Sequence, residues 1–237
     1  MIPKIIWQTY KDPYNVLPQY QKDATQTWKD LNPEYEWHYM DDSQAKEFIY
    51  SEYGQEWLDI FNNCPVGVMR GDLWRYLVIY AFGGVYSDLD TLCLSSIDNW
   101  LLNDKEFIVC PETSEHFCQW TFAATAGNPI LKSVLYEIKE AFKNPIYGQP
   151  HFVHSMTGPS IWTKGILKAL DLNVSNLIDD YLLINSSDNA KLYNFHNYGG
   201  EEWRKFHFVD VKHIYGSQNW KDGYVQWIED PLVKGTR

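Results

Sequence analysis

The chain has 237 residues, 45% of them hydrophobic and 16% aromatic, which is ample for one sizeable core and excludes a disordered chain. Its formal net charge of −11 excludes the basic surface that nucleic acid or an anionic membrane requires of a partner. What remains is a soluble protein or one that holds a cation. The cysteines, Cys64, Cys93, Cys110 and Cys118, match no zinc or redox spacing and are few for a disulfide scaffold, so reduced, buried residues in a cytoplasmic protein are expected. No signal peptide is expected before Pro3, because the first residues already read as a strand. The longest apolar stretch, Tyr76–Phe82, is too short to span a bilayer. No transmembrane segment is expected, and membrane association would have to come through a partner or substrate.

In chain order, Lys4–Gln8 reads as a short strand bounded by Pro3 and by the loop holding Pro13 and Pro18. A helix is predicted over 19–30, stopped by Asn32-Pro33. The aromatic run Tyr35–Met40 predicts a second strand. Ser43 is then expected to cap a helix over 44–61, which stops before Cys64-Pro65. Pro65 suits the first turn of a helix in which Leu73, Leu77 and Tyr80 recur at three- and four-residue intervals until Gly83. Strands are expected at 84–88 and 107–109, and helices from Asn128-Pro129 to about 143 and from Pro159 or Ser160 to about 170. Strand-like runs follow at Tyr181–Ile184 and Phe206–Val211. Strands alternating with helices, with no repeat or linker, point to one α/β layered domain.

The stretch Gly83-Gly84-Val85-Tyr86-Ser87-Asp88-Leu89-Asp90 carries most of the functional information. Residues two apart on a strand share a face, so Asp88 and Asp90 are expected to converge at the strand's carboxyl end, where open α/β sheets bind ligands. Two hard oxygen ligands suit Mg²⁺ or Mn²⁺ bridging to a diphosphate, and a solvated turn is the alternative. In the preceding helix Asp72 and Arg75 share a face. A surface ion pair is the simple reading. The run Leu73–Phe82 has Arg75 as its only charge, however, and a charged pair on so apolar a helix is either buried and paired or faces a site.

Arg70-Gly-Asp72-Leu-Trp-Arg75-Tyr76, a spacer, and Gly83-Gly84-Val-Tyr86-Ser-Asp88-Leu-Asp90 together resemble the signature of glycosyltransferases with a DXD sugar-binding region. That group includes outer-chain mannosyltransferases, α-1,4-galactosyltransferases and capsular polysaccharide enzymes. Ile2–Thr9, the segment from Asn32-Pro33 to Asp41-Asp42, Thr157-Gly158-Pro159 and His213-Ile-Tyr-Gly-Ser217 are similar to other blocks of the family.

The resemblance implies a single GT-A (Rossmann-like) domain over 1–237, with a mixed, mostly parallel sheet flanked by helices. Residues 1–100 would form the donor-binding half and 101–237 the acceptor-side, metal-completing half. It implies transfer of a sugar, with retention of configuration, from a UDP- or GDP-sugar to a glycan, lipid-linked glycan or other hydroxyl acceptor, with Mn²⁺ or Mg²⁺ as cofactor. Asp90 would bind the metal directly, Asp88 the ribose and a metal-bound water, and His213 would be the third protein ligand. Asp72 and Arg75 would hold donor-sugar hydroxyls. Trp7, Gln8, Gly84, Tyr86 and Ser217 would complete the donor site, with Trp7 either lining the base pocket or serving as a core aromatic. The family commonly has Trp directly after that Ser; here Gln218-Asn219-Trp220 departs from the pattern. His154, His196 and Glu112 receive no role. Loops 112–122 and 144–157 are expected to face the acceptor. Nothing identifies a covalent carboxylate nucleophile, so a front-face mechanism is the working expectation. The alternatives are a nucleotide-sugar hydrolase and a non-catalytic carbohydrate- or nucleotide-binding module.

Overall fold

The computed structural model describes residues 1–99, 106–109 and 116–172, together with two further strands at 191–192 and 211–213. The elements are β1 (Ile5–Thr9), α1 (Gln19–Leu31), β2 (Glu36–Met40), α2 (Asp42–Tyr53), α3 (Gln55–Asn62), α4 (Gly67–Phe82), β3 (Gly84–Ser87), β4 (Thr91–Cys93), β5 (Phe107–Val109), β6 (Thr121–Ala124), α5 (Pro129–Lys143), α6 (Phe152–Met156), α7 (Pro159–Ala169), β7 (Lys191–Leu192) and β8 (Val211–His213). A six-stranded sheet runs in the order β2-β1-β3-β6-β5-β7. β6 is antiparallel to both its neighbours, and every other pair is parallel. The expected mixed, mostly parallel sheet flanked by helices is therefore what is observed. β4 and β8 form a separate antiparallel ribbon.

Strand alternation sorts the core into two layers. Ile6, Val85, Ile108 and Ala123 face one side with Trp28 of α1. Trp7, Tyr86, Phe107, Val109, Phe122 and Ala124 face the other, against α2 to α7. The registers Ile6↔Val85↔Ala123 and Trp7↔Tyr86↔Phe122 make these rows continuous across strands. Fully buried Phe107, Phe117, Phe122 and Phe152 each contribute about 1.5–3 kcal/mol of burial. α4 runs through the second layer with Met69 and Asp72 to Ile79 all buried, which explains why its sequence is apolar on every side. Among the described residues no helix is long and apolar enough to cross a membrane.

Several boundaries differ from expectation, each for a local reason. The helix predicted over 44–61 is broken at Gly54, whose φ of 77° lies outside the helical region. Its cap is Asp41 rather than Ser43: the Asp41 carboxylate accepts from the Ser43 and Gln44 amides, and the Gln44 side chain accepts from the Asp41 N–H. α4 begins at Gly67, two residues after Pro65. β4, β6 and α6 are three to five residues long and carry no periodic signal; α6 lies within the loop expected at 144–157, and β6 overlaps the end of the loop expected at 112–122. β8, paired to β4, overlaps the strand expected at 206–211 only at Val211; the rest of that run and the run 181–184 lie outside the described residues.

Two glycine sites control the packing. Gly83 (φ 70°) ends α4 and Gly84 (φ 111°) begins β3. A Cβ would stand 2.8 Å from the Ala126 amide at the first and 2.7 Å from the Ile5 carbonyl at the second. Conformation and space thus both require glycine, and the chain turns from α4 directly into the neighbouring strand. In α7, Gly165 lies against α5, where a Cβ would meet Val134 Cα at 2.6 Å. Gly165→Ala should force the two helices apart and cost about 1–3 kcal/mol, read as a fall of several degrees in thermal midpoint. An unchanged midpoint would show that the α5–α7 contact yields without cost. The same contact carries a clamp: Glu137, 5% exposed, accepts from Lys164 at 2.7 Å and Lys168 at 2.6 Å. Burial works to raise its carboxyl, but the two lysines outweigh it and hold the group below its ordinary value.

Candidate active site

The site forms where α4, β3 and the segment before β6 meet. β3 ends at Ser87, one residue earlier than expected, so Asp88 and Asp90 do not lie together on a strand. Asp88 N–H still bonds the Trp120 carbonyl at 2.8 Å, after which the chain turns. The Thr91 N–H and hydroxyl both return to the Asp88 carbonyl, at 3.3 and 2.6 Å. Ser87 Oγ links the Thr91 and Thr121 hydroxyls at 2.8 Å each, and Gln8 Nε2 donates to the same Asp88 carbonyl at 3.2 Å. The two carboxylates therefore flank a turn pinned by buried hydroxyls. Strand alternation does not bring them together.

Arg75 is the centre of charge. Its Nη2 lies 3.2 Å from Asp72 Oδ1 and 3.1 Å from Asp88 Oδ1, and its Nη1 donates to the Gln119 carbonyl at 3.1 Å. The guanidinium also lies over the Tyr86 ring at 4.8 Å, a cation–π contact. Its Nε is buried without an acceptor among the described residues. Asp72 is 1% exposed and Arg75 5%, whereas the Asp88 side chain is 23% exposed. The cluster thus runs from the interior toward solvent. This geometry joins the helix pair to the Asp-x-Asp turn, and the isolated surface ion pair is ruled out.

Three donors hold Asp72: Arg75 and Gln119 Nε2 (3.2 Å) at Oδ1, and the Thr157 hydroxyl (3.0 Å) at Oδ2. Burial pushes its carboxyl up to about 7, against Arg75 and Thr157, which pull it down. Tyr86 donates its hydroxyl to Asp88 Oδ1. Tyr76 donates to Gln119 Oε1 and lies 3.0 Å from the Thr157 carbonyl; burial holds both phenols well above their ordinary value. Gln119 carries no signal of its own in the sequence, and Tyr76 and Thr157 stand out there only as parts of blocks. Their signal is tertiary. Gln119 lies 47 residues from Asp72 and Thr157 lies 85 away.

Of the other expected site residues, Trp7 is buried. Its Nε1 donates to the Gly83 carbonyl at 2.9 Å, and its ring stacks on His38 and Phe82. Gln8 is fully buried with both ends engaged, accepting from Trp37 Nε1 at 2.9 Å besides its bond to Asp88. Gly84 and Tyr86 are buried behind the turn. Ser217, Trp220, His196 and Glu112 lie outside the described residues. His154 sits beside His116 and His151.

Among the described residues no three His, Cys, Asp or Glu side chains form a metal-holding group. In backbone register, β8 pairs with β4 so that His213 stands opposite Thr91, the residue after Asp90. Asp88 Oδ1 is committed to Arg75 and Tyr86, while Asp90 is partly exposed. Two carboxylates and an imidazole from adjoining strands and turns suit a hard or borderline divalent ion.

A family model described as the glycosyltransferase sugar-binding region containing the DXD motif matches residues 18–107, a span that includes the Asp72/Arg75 helix and the Asp88–Asp90 turn. The chain is 33% identical to the initiation-specific α-1,6-mannosyltransferase of Schizosaccharomyces pombe, over 77% of this chain and 54% of that protein. The chain belongs to this glycosyltransferase family. Within the matched span the Asp-x-Asp is Asp88-Leu89-Asp90. It is 27% identical to the Candida albicans protein of the same name, over 71% and 53%. It thus spans about half the length of these curated relatives. Among solved structures it resembles the PaToxG glycosyltransferase, with a TM-score of 0.58 at 16% identity, covering 96% of this chain and 85% of that one. It also resembles the UDP-bound glycosyltransferase domain of the YGT toxin, with a TM-score of 0.54 at 9% identity, covering 81% and 79%. At such identities the likeness is one of fold, which is GT-A.

Proposed function

We propose that this domain is a retaining, divalent-metal-dependent hexosyltransferase that moves a sugar from a UDP- or GDP-sugar to the hydroxyl of a glycan or lipid-linked glycan. The observation that carries the reading is the Arg75 guanidinium held between Asp72 and Asp88 beside the DXD turn. Mannose is the first candidate sugar, because the long matches are to proteins named mannosyltransferases. Residues 1–100 supply the donor half and 101–237 the acceptor side.

Breaking a glycosyl–phosphate bond builds positive charge on the sugar and negative charge on the departing diphosphate. Asp90, Asp88 and His213 would hold Mn²⁺ or Mg²⁺, which would supply Lewis-acid stabilisation of that diphosphate. Asp88, fixed by Arg75 and Tyr86, orients the ribose. Asp72 and Arg75 present a carboxylate and a preorganised cation to sugar hydroxyls whose hydrogen bonds strengthen as charge develops. Trp7, Gln8, Gly84 and Tyr86 support this wall from behind, and Ser217 would complete the donor site. In a front-face reaction the leaving phosphate takes the acceptor proton, so no dedicated carboxylate base is required.

Incubation with GDP-mannose, UDP-glucose and UDP-galactose tests this directly. With Mn²⁺ one donor should release free nucleotide; EDTA should stop the release, and added Mn²⁺ should restore it. Donor binding without any turnover would favour the binding module. Release that no hydroxyl acceptor accelerates would favour the hydrolase.

A further inference from the structure

We infer that Gln119 is a positioning residue for sugar transfer, fixing Asp72 and Arg75 against each other. The inference rests on the glycosyltransferase reading above. Gln119 lies just ahead of β6 and is 8% exposed. Its side-chain Nε2 donates to Asp72 Oδ1 at 3.2 Å, its Oε1 accepts from the Tyr76 hydroxyl, and its backbone carbonyl accepts from Arg75 Nη1 at 3.1 Å. One residue thereby holds both members of the pair, the carboxylate through its amide and the guanidinium through its backbone.

With Asp72 ionised, the NH₂ end of the amide faces that carboxylate as its acceptor, and the carbonyl end faces the Tyr76 hydroxyl, which also reaches the Thr157 carbonyl at 3.0 Å. Tyr76 is itself fixed by packing, its ring stacked on Trp162 at 4.9 Å between centroids and 8° between planes. Asp72 is gripped a second time at Oδ2 by Thr157, which approaches from the turn between α6 and α7. Without the Gln119 amide, Oδ1 keeps Arg75 alone, and the carboxylate plane is free to swing about its Thr157 bond. A displacement of about 1 Å in a group aimed at developing charge can cost up to about 100-fold in rate. Leu fills the space without the polarity, and Glu keeps the shape while placing an acceptor against the Asp72 carboxylate. Asn keeps the chemistry one methylene short.

The test compares wild type with Gln119→Leu, Gln119→Glu and Gln119→Asn. It measures steady-state kinetics on the donor that wild type turns over, calorimetric binding of that donor with Mn²⁺, and thermal midpoint. Leu and Glu should lower kcat about 10- to 100-fold while the donor KM and Kd stay within about threefold, and Asn should recover part of the loss. A lower midpoint with kcat unchanged per folded molecule, or losses confined to KM, would make Gln119 a packing residue and overturn the inference. Should the Leu and Glu variants not fold, Tyr76→Phe keeps the stacked ring and removes only the hydroxyl that orients the amide. It should lower kcat severalfold, and an unchanged kcat overturns the inference. Wild type without turnover on any donor overturns the transferase reading, and this inference with it. Wild-type turnover with unaffected variants overturns the inference alone.

Discussion

Asp88→Asn combined with Asp90→Asn should abolish transfer, a loss on the order of 10³-fold or more for removing the charge that holds a catalytic cation. It should also abolish the Mn²⁺ dependence of donor binding while leaving the fold in place. The fold survives Asp88→Asn because the new amide oxygen can still accept from Arg75 and Tyr86, the two groups that bond Asp88 Oδ1. The turn is held by the Asp88 carbonyl with Thr91 and Gln8. The single variants should differ. Asp90→Asn should lose metal-dependent donor binding with little change in thermal midpoint, since Asp90 is partly exposed. Asp88→Asn should lose activity and some stability together, since it removes one of two negative charges facing Arg75. Nucleotide release, Mn²⁺ titration by calorimetry and thermal midpoint separate these effects. Normal turnover in the double variant would sink the assignment of the DXD turn.

Arg75→Met should be the most destabilising substitution in the site, by about 3–5 kcal/mol, or on the order of 10 °C in thermal midpoint. The guanidinium contacts both Asp72 and Asp88. Removing it leaves Asp72, 1% exposed, as a buried carboxylate with only the neutral donors of Gln119 and Thr157. Neutralising Asp72 as well should restore part of the loss. Arg75→Met with Asp72→Asn should then be less destabilised than the sum of the single changes by about 1 kcal/mol or more, as expected for contacting charges. Arg75→Lys should fall between, because an ammonium cannot span two carboxylates and the Gln119 carbonyl as the planar fork does. Additive single effects would show that the carboxylate and guanidinium do not depend on each other.

The sequence by itself determined what neighbouring residues decide. Gly83-Gly84 marks the junction of α4 and β3 because two positive φ angles in a tight space leave no other residue. The apolar run of α4 with its lone Arg75 announced a buried charge, and the Asp88–Asp90 pair announced the site. Asn128 before Pro129 announced the start of α5, which that side chain caps through the Ile130 amide. Short elements were illegible: β4 and β6 have three and four residues, too few for periodicity to register, and they exist because partner strands complete their hydrogen bonds. Tertiary structure alone decided that Asp88 follows the strand rather than ending it. It also decided that Trp7 and Gln8 lie behind the site with their polar atoms engaged, and that Gln119 and Thr157 close on Asp72 from 47 and 85 residues away. A buried carboxylate must collect donors from whatever chain folds against it. That requirement can be read from the sequence, but the identity of the donors is set only when distant segments pack.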